Sequence, residues 1–251
     1  MVAGPFMRSI VVGASSGIGE ALALQLATQG EYVSILGRRQ DKLERICRVT
    51  RECGLGQVDA YPHDVTSFEE IAPLFEKIVA RMGGLDMLVY AAGVMPPLKE
   101  NEYSFVKDRK MVEVNLLGAM GWLNVAAPFF EARRSGTLMV ISSIAGERGR
   151  RGNPGYCATK AALSTYQESL RNRLSRYGVN VVTIKPGFVD TAMTKGKPGL
   201  FWLISAEEAA SQSLAIAQKG VGASQYVPFR WGLIAWVVRN IPSFIFRRLS
   251  F

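Results

Sequence analysis

The chain has 251 residues, 48% of them apolar, which supports one large α/β core or two small ones. Its 30 Lys and Arg against 21 Asp and Glu give a net charge of +9, but the basic residues are dispersed and no recognisable motif joins them, so a nucleic-acid partner is not expected. A single histidine, His63, and three cysteines without metal-ligand spacing, Cys47, Cys53 and Cys157, weigh against a metal centre and serine-hydrolase chemistry, and so sparse a set of thiols fits a reducing cytoplasmic setting.

Residues 8–12 form a short β-branched run, GlyAlaSerSerGlyIleGly occupies 13–19, and apolar residues at 21, 22, 24, 26 and 27 follow at helical spacing. The pattern predicts strand, tight turn, helix. Gly13 permits the turn, Gly17 lets the backbone approach a pyrophosphate and Gly19 allows close packing, while free amides at the helix start attract the anion. The next strand, residues 32–36, ends in Gly37-Arg38-Arg39. An acid there binds the free ribose hydroxyls of a dinucleotide; two arginines instead suit the 2′-phosphate of NADP(H), with a solvated helix start as the alternative.

Further strands are expected over 57–61, 85–90, 138–141 and 179–184, and a helix over 112–119 carries Asn115. Strand and helix patterns alternate to about residue 227 without a linker or a repeat, which favours one continuous domain. Tyr156 precedes Lys160 by four positions. If Tyr156 opens a helix, Lys160 lies one turn on and on the same face, where its ammonium lowers the phenol from its ordinary pKa of about 10. Ser143 upstream could hold a carbonyl oxygen while Tyr156 gives or takes the proton, so the set suits carbonyl or alcohol redox chemistry without a metal.

Ser205 and Glu208 resemble a capping box that starts the next helix. After Glu208 the chain has no acidic residue, and 229–251 interleaves Trp231, Trp236, Phe244, Phe246 and Phe251 with Arg230, Arg239, Arg247 and Arg248. Arg239 and Pro242 interrupt the apolar stretch, leaving it short of the roughly 20 residues of a membrane span. Two short amphipathic helices are expected, lying in a membrane interface or docked on the domain or on a neighbouring subunit.

The glycine turn at 13–19, IleSerSerIleAlaGly at 141–146 and ProGlyTyrCysAlaThrLysAlaAlaLeu at 154–163 together resemble the short-chain dehydrogenase/reductase family, of the shorter type with TGxxxGxG and YxxxK motifs. The resemblance implies an α/β, Rossmann-like doubly wound fold, with a mainly parallel seven-stranded sheet and helices on both faces. It implies a single domain over 1–228, followed by the apolar, basic segment 229–251. By the same resemblance Ser15, Ser16 and Ile18 join the three glycines in the phosphate turn. Asp64 and Val65 hold the adenine, with Asp64 also a candidate helix cap. Ala91, Ala92 and Gly93 let the cofactor lie against the backbone, and Pro186, Gly187, Val189 and Thr191 border the nicotinamide. The implied catalytic set is Asn115, which holds a water linking the lysine to solvent, with Ser143, Tyr156 and Lys160; the last two also contact the cofactor. Ser143 has the family's spacing to Tyr156, and Ser142 is left a supporting role. Three positions depart from the pattern: Val12 replaces threonine, Gly37 replaces the aspartate of NAD-using relatives, and Tyr90 replaces an asparagine that braces the sheet.

The expected function is that of an NADP(H)-dependent oxidoreductase interconverting a carbonyl and a secondary alcohol by hydride transfer. Residues 192–204, which close over the substrate in relatives, carry Met193, Leu200, Phe201 and Trp202 and point to a hydrophobic, lipid-, steroid- or retinoid-like substrate. One alternative is a non-catalytic NADP(H)-binding or membrane-associated scaffold, against which the complete catalytic set stands. The other is a sugar-nucleotide epimerase or dehydratase, against which the short C-terminal region and the glycine spacing stand. The expected assembly is a homo-dimer or homo-tetramer, and the expected location the cytoplasm, with the inner face of a membrane as a docking place for the tail.

Overall fold

In the computed structural model, which describes residues 8–196, 199–220 and 222–249, the apolar runs become seven strands. They are β1 (Arg8–Val12), β2 (Tyr32–Gly37), β3 (Val58–Pro62), β4 (Met87–Tyr90), β5 (Thr137–Ile141), β6 (Asn180–Pro186) and β7 (Ser224–Val227). They pair in the order β3-β2-β1-β4-β5-β6-β7, every neighbour parallel, as a single Rossmann-like domain. β7 is the strand with no clear sequence signal: SerGlnTyrVal is short and half polar, and its pairing with β6 makes it a strand.

Alternation along the strands sorts the core into two layers. Val11, Met87 and Val89 face a cluster built with Leu22 and Leu26 of α1 (Gly17–Thr28), Leu43 and Ile46 of α2 (Gln40–Glu52) and Leu214 of α7 (Ala206–Gln218). Their neighbours Ile10, Val12, Leu88 and Tyr90 face the opposite cluster, with Phe75 of α3 (Phe68–Met82), Trp122 of α5 (Gly118–Arg133) and Leu170 of α6 (Pro154–Leu174). The strand order turns back between β1 and β4, so the connections leaving their carboxyl ends run to opposite faces of the sheet and open a crevice between them.

The helix expected over 112–119 is interrupted. α4 (Phe105–Val112) passes into a π-helical turn, Glu113–Leu117, before α5, and the Gly118 amide reaches back to the Glu113 carbonyl. Such single turns recur at functional positions in helices, and this one carries Asn115. Tyr90, at the end of β4, braces it: the buried hydroxyl donates to the Val114 carbonyl at 2.5 Å. The tyrosine therefore ties strand to helix where the family pattern has asparagine. Tyr90→Phe is expected to cost about 1–3 kcal/mol, because it removes one side of a buried hydrogen bond without changing the ring. Urea unfolding measures it, and an unchanged midpoint would contradict the brace.

The tail forms two short helices, as expected, α8 (Trp231–Asn240) and α9 (Ser243–Phe246), while Phe251 lies outside the described residues. Arg148 holds both. Its guanidinium donates to the Val238 carbonyl at 2.7 Å, to the Ile241 carbonyl and to Ser243 Oγ at 3.3 Å, and lies 4.0 Å over the Phe246 ring.

Candidate active site

The turn between β1 and α1 is packed against the loop after β4. Gly13 has φ +92°, and a Cβ there would lie 2.4 Å from the Ala92 amide nitrogen, so any side chain would push the two loops apart. Ser16 is the extended N-cap of α1 and makes no side-chain cap, leaving the first amides of the helix directed into the crevice. Arg39 crosses the same turn: its guanidinium donates to Ser16 Oγ at 2.7 Å, to Ser15 Oγ at 3.0 Å and to the Ser15 carbonyl at 3.1 Å. Arg38 approaches Asp64, Nη1 to Oδ2 at 3.8 Å. Burial opposes charge on Asp64, but bonds from the Thr66 amide and hydroxyl, with Arg38, hold it below the ordinary carboxylate value. The cap of α3 is Ser67, so Asp64 is not that helix's cap.

Local rules place the Tyr156 pair. Asn153 caps α6 by accepting from the Tyr156 amide at 3.1 Å, and Pro154 sits in the first turn, where its missing N–H costs nothing. Tyr156 therefore stands in the first turn and Lys160 one turn later. Ser143 leads from β5 into a short 3₁₀ turn, Ile144–Glu147, which it caps at the Ala145 amide at 3.0 Å. Its hydroxyl lies close enough to the Tyr156 phenol to act on its pKa, favouring the charged form. Ser142 does what was expected of it: it donates to the Lys160 carbonyl at 3.0 Å and meets Ser164 Oγ at 2.8 Å, tying β5 to α6. Asn115 is fully buried and brackets the Val94 backbone, accepting from its amide at 2.7 Å and donating to its carbonyl at 3.0 Å. It also donates to Thr159 Oγ1 at 3.2 Å, next to Lys160.

The electrostatics differ from the sequence expectation of a phenol lowered by lysine. Burial raises the Tyr156 phenol above its ordinary value, with the Ser143 hydroxyl and the charge of Arg150 acting in the opposite sense. Lys160 Nζ donates to the Ile141 carbonyl at 2.8 Å and lies 5.7 Å from the centre of the Tyr156 ring. Its own pKa falls to about 8, again through burial. Between pH 8 and the ordinary lysine value the folded protein thus binds fewer protons than the unfolded chain, so this group penalises folding fully below pH 8 and progressively less above it. Lys160→Met is expected to stabilise the fold by on the order of 2 kcal/mol at pH 7. That gain should shrink as the pH approaches 10, and equal gains in denaturant titrations at both pH values would refute the assignment.

The cofactor residues expected from sequence, from Gly13 to Thr191, line one cavity of about 710 Å³ together with Ser143, Tyr156 and Lys160. Asn115 does not line it and stands behind Gly93 and Val94. His63, buried after β3 and edge-on to Trp122 at 5.6 Å, also reaches the cavity, and burial lowers its pKa. Sequence reasoning missed Arg150, whose charge acts on Tyr156; the only available signal was its place in the basic run after Ser143.

A family model for short chain dehydrogenases matches residues 8–198. The chain belongs to the short-chain dehydrogenase family. This short-chain dehydrogenase is 37% identical over 186 residues to an uncharacterized oxidoreductase of Staphylococcus aureus, covering 74% of this chain and 79% of the relative. Its fold matches a short-chain type dehydrogenase/reductase from Mycobacterium ulcerans with TM-score 0.81, at 25% identity and over 88% of each chain. It matches an alcohol dehydrogenase from the archaeon Thermococcus sibiricus, solved with 5-hydroxy-NADP, with TM-score 0.78 at 27% identity over 88% of this chain and 95% of that one. Enzymes of this family are oxidoreductases that bind a nicotinamide cofactor. The residues of this dehydrogenase fit such a group: a turn that a side chain would close, helix amides beside it, and two arginines at the end of β2.

Proposed function

We propose that this short-chain dehydrogenase interconverts a carbonyl and a secondary alcohol on an apolar substrate, with NADP(H) as its cofactor. The supporting observation is a buried phenol that lines, with Ser143, the same cavity as Arg38 and Arg39. When bound, the nicotinamide supplies or accepts the hydride. Tyr156, kept neutral by burial, gives its proton to the carbonyl oxygen in the reductive direction, and Ser143 holds that oxygen. Lys160, still mostly an ammonium at neutral pH, holds the ribose. Asn115 fixes the loop at Val94 beside the lysine.

Arg38 and Arg39 support NADP(H) over NAD(H), because the end of β2 offers cations and no acid to the ribose. Met95, Leu98, Met193 and Leu200 line the same cavity and support an apolar substrate. A homo-dimer or homo-tetramer belongs to the same reading, supported by the exposed Phe105, Val106 and Leu117 beside α4. Purified protein given NADPH and a panel of ketones is expected to consume the nicotinamide, faster with apolar ketones and faster than with NADH. Absence of consumption across a broad panel with either nucleotide would sink the proposal.

A further inference from the structure

α8 is amphipathic in the wrong sense for a helix facing water. Trp231 and Ala235, one turn apart, are buried, while Leu233, Trp236 and Val237 share the opposite face with Asn240, at the i, i+3, i+4, i+7 spacing. Leu233 is 66% exposed and Trp236 65%, so an outer face that would normally carry charge is apolar. Phe244 and Ile245 of α9 are exposed as well. The placement is enforced from inside the domain. Trp231 stacks on Phe201 with centroids 5.1 Å apart, and Arg148 grips the carbonyls at the end of α8.

The charges that the tail itself carries have one sign. From Ala209 onward the sequence contains five basic residues, Lys219, Arg230, Arg239, Arg247 and Arg248, and no acid. The acid that reaches α8 from the domain, Glu147, is buried and already bonded by Lys185 at 2.6 Å, with Arg239 at 3.7 Å. A second copy meeting this face through a two-fold axis would set arginines against arginines, which disfavours self-association there. Exposed tryptophan, phenylalanine and leucine mixed with arginine match an anionic bilayer surface instead, where the rings sit among the headgroups and the guanidiniums meet lipid phosphates. Among the described residues no helix is long and apolar enough to cross a membrane. We infer that α8 and α9 dock the protein on an anionic lipid bilayer surface, lying in the interface and inserting Leu233, Trp236 and Phe244.

Docking of this kind is independent of the carbonyl chemistry and is tested without it. Full-length protein is mixed with vesicles of phosphatidylcholine alone or phosphatidylcholine with phosphatidylglycerol, and bound protein is separated by flotation. Wild type is expected to float with the anionic vesicles, to bind neutral ones at least about tenfold more weakly, and to be released by high salt. The double variant Leu233→Ser with Trp236→Ser should lose at least about tenfold in partitioning. Arg247→Glu with Arg248→Glu, at two exposed positions, is the second variant and should lose as much. Thermal melting checks that each variant is folded. Failure of wild type to float, equal binding to neutral vesicles, or wild-type partitioning by both folded variants would overturn the inference. So would a fall in oligomer size of the serine variant in analytical ultracentrifugation, since the face would then be covering another copy.

Discussion

Tyr156→Phe is expected to lower carbonyl turnover by about 10²–10⁴-fold, the range general acid catalysis supplies, while changing nicotinamide affinity by no more than about twofold. The substitution removes one hydroxyl from a ring that stays packed among Met111, Ala145 and Cys157. The polar groups grouped with it replace it poorly: Ser143 is an alcohol far weaker as an acid, and Lys160 is turned onto the Ile141 carbonyl. Because burial holds the phenol neutral through the physiological range, reductive turnover in the wild type should stay flat across neutral pH and fall in alkali. Nicotinamide absorbance reports turnover and fluorescence titration reports binding. Turnover close to wild type in the phenylalanine variant would remove the phenol from the reaction, whatever the fate of cofactor binding.

The second large effect is expected at the cofactor's phosphate. Arg38→Ala with Arg39→Ala should weaken NADPH binding by about 10²–10⁴-fold and leave NADH nearly unchanged, since each lost bond from a charged group is worth about 1.5–3 kcal/mol. The two arginines are not equivalent. Arg39 is already organised across the phosphate turn by Ser15 and Ser16, whereas Arg38 leans towards Asp64. In sequence Arg38 follows the strand more closely. Single substitutions separate the two: loss confined to one arginine identifies the phosphate ligand. If the ratio of NADPH to NADH affinity does not move in the double variant, the NADP(H) assignment fails.

Much of the site was legible because its parts obey local rules. A strand followed by GlyAlaSerSerGlyIleGly and a helix can hardly fold otherwise, and a capping asparagine followed by proline puts Tyr156 and Lys160 one turn apart on α6. The tail was legible as two helices for the same reason, with Pro242 as the break. Other features had no local signature. The π-turn at Asn115 looks like any helix in sequence, and it is recognised only once Tyr90 is seen to bond Val114 from a different strand. Arg148 and Arg150 lie in one basic run, yet one holds the tail and the other acts on Tyr156, a division that follows from where the 3₁₀ turn after Ser143 sends each side chain.

The sequence by itself determined the family and the parallel α/β architecture and pointed to a candidate reactive set, because periodicity, caps and glycine turns act over a few residues. Only the tertiary structure decided the protonation of that set. Tyr156 is raised and Lys160 lowered by enclosure between α6, β5 and the loop at Val94, segments far apart along the chain, and desolvation depends on what surrounds a group and not on its neighbours in sequence. Enclosure likewise decided which face of α8 is left bare: the pattern of its apolar residues is readable, but which of them pack inward depends on Phe201 and Arg148 meeting the helix from elsewhere in the fold.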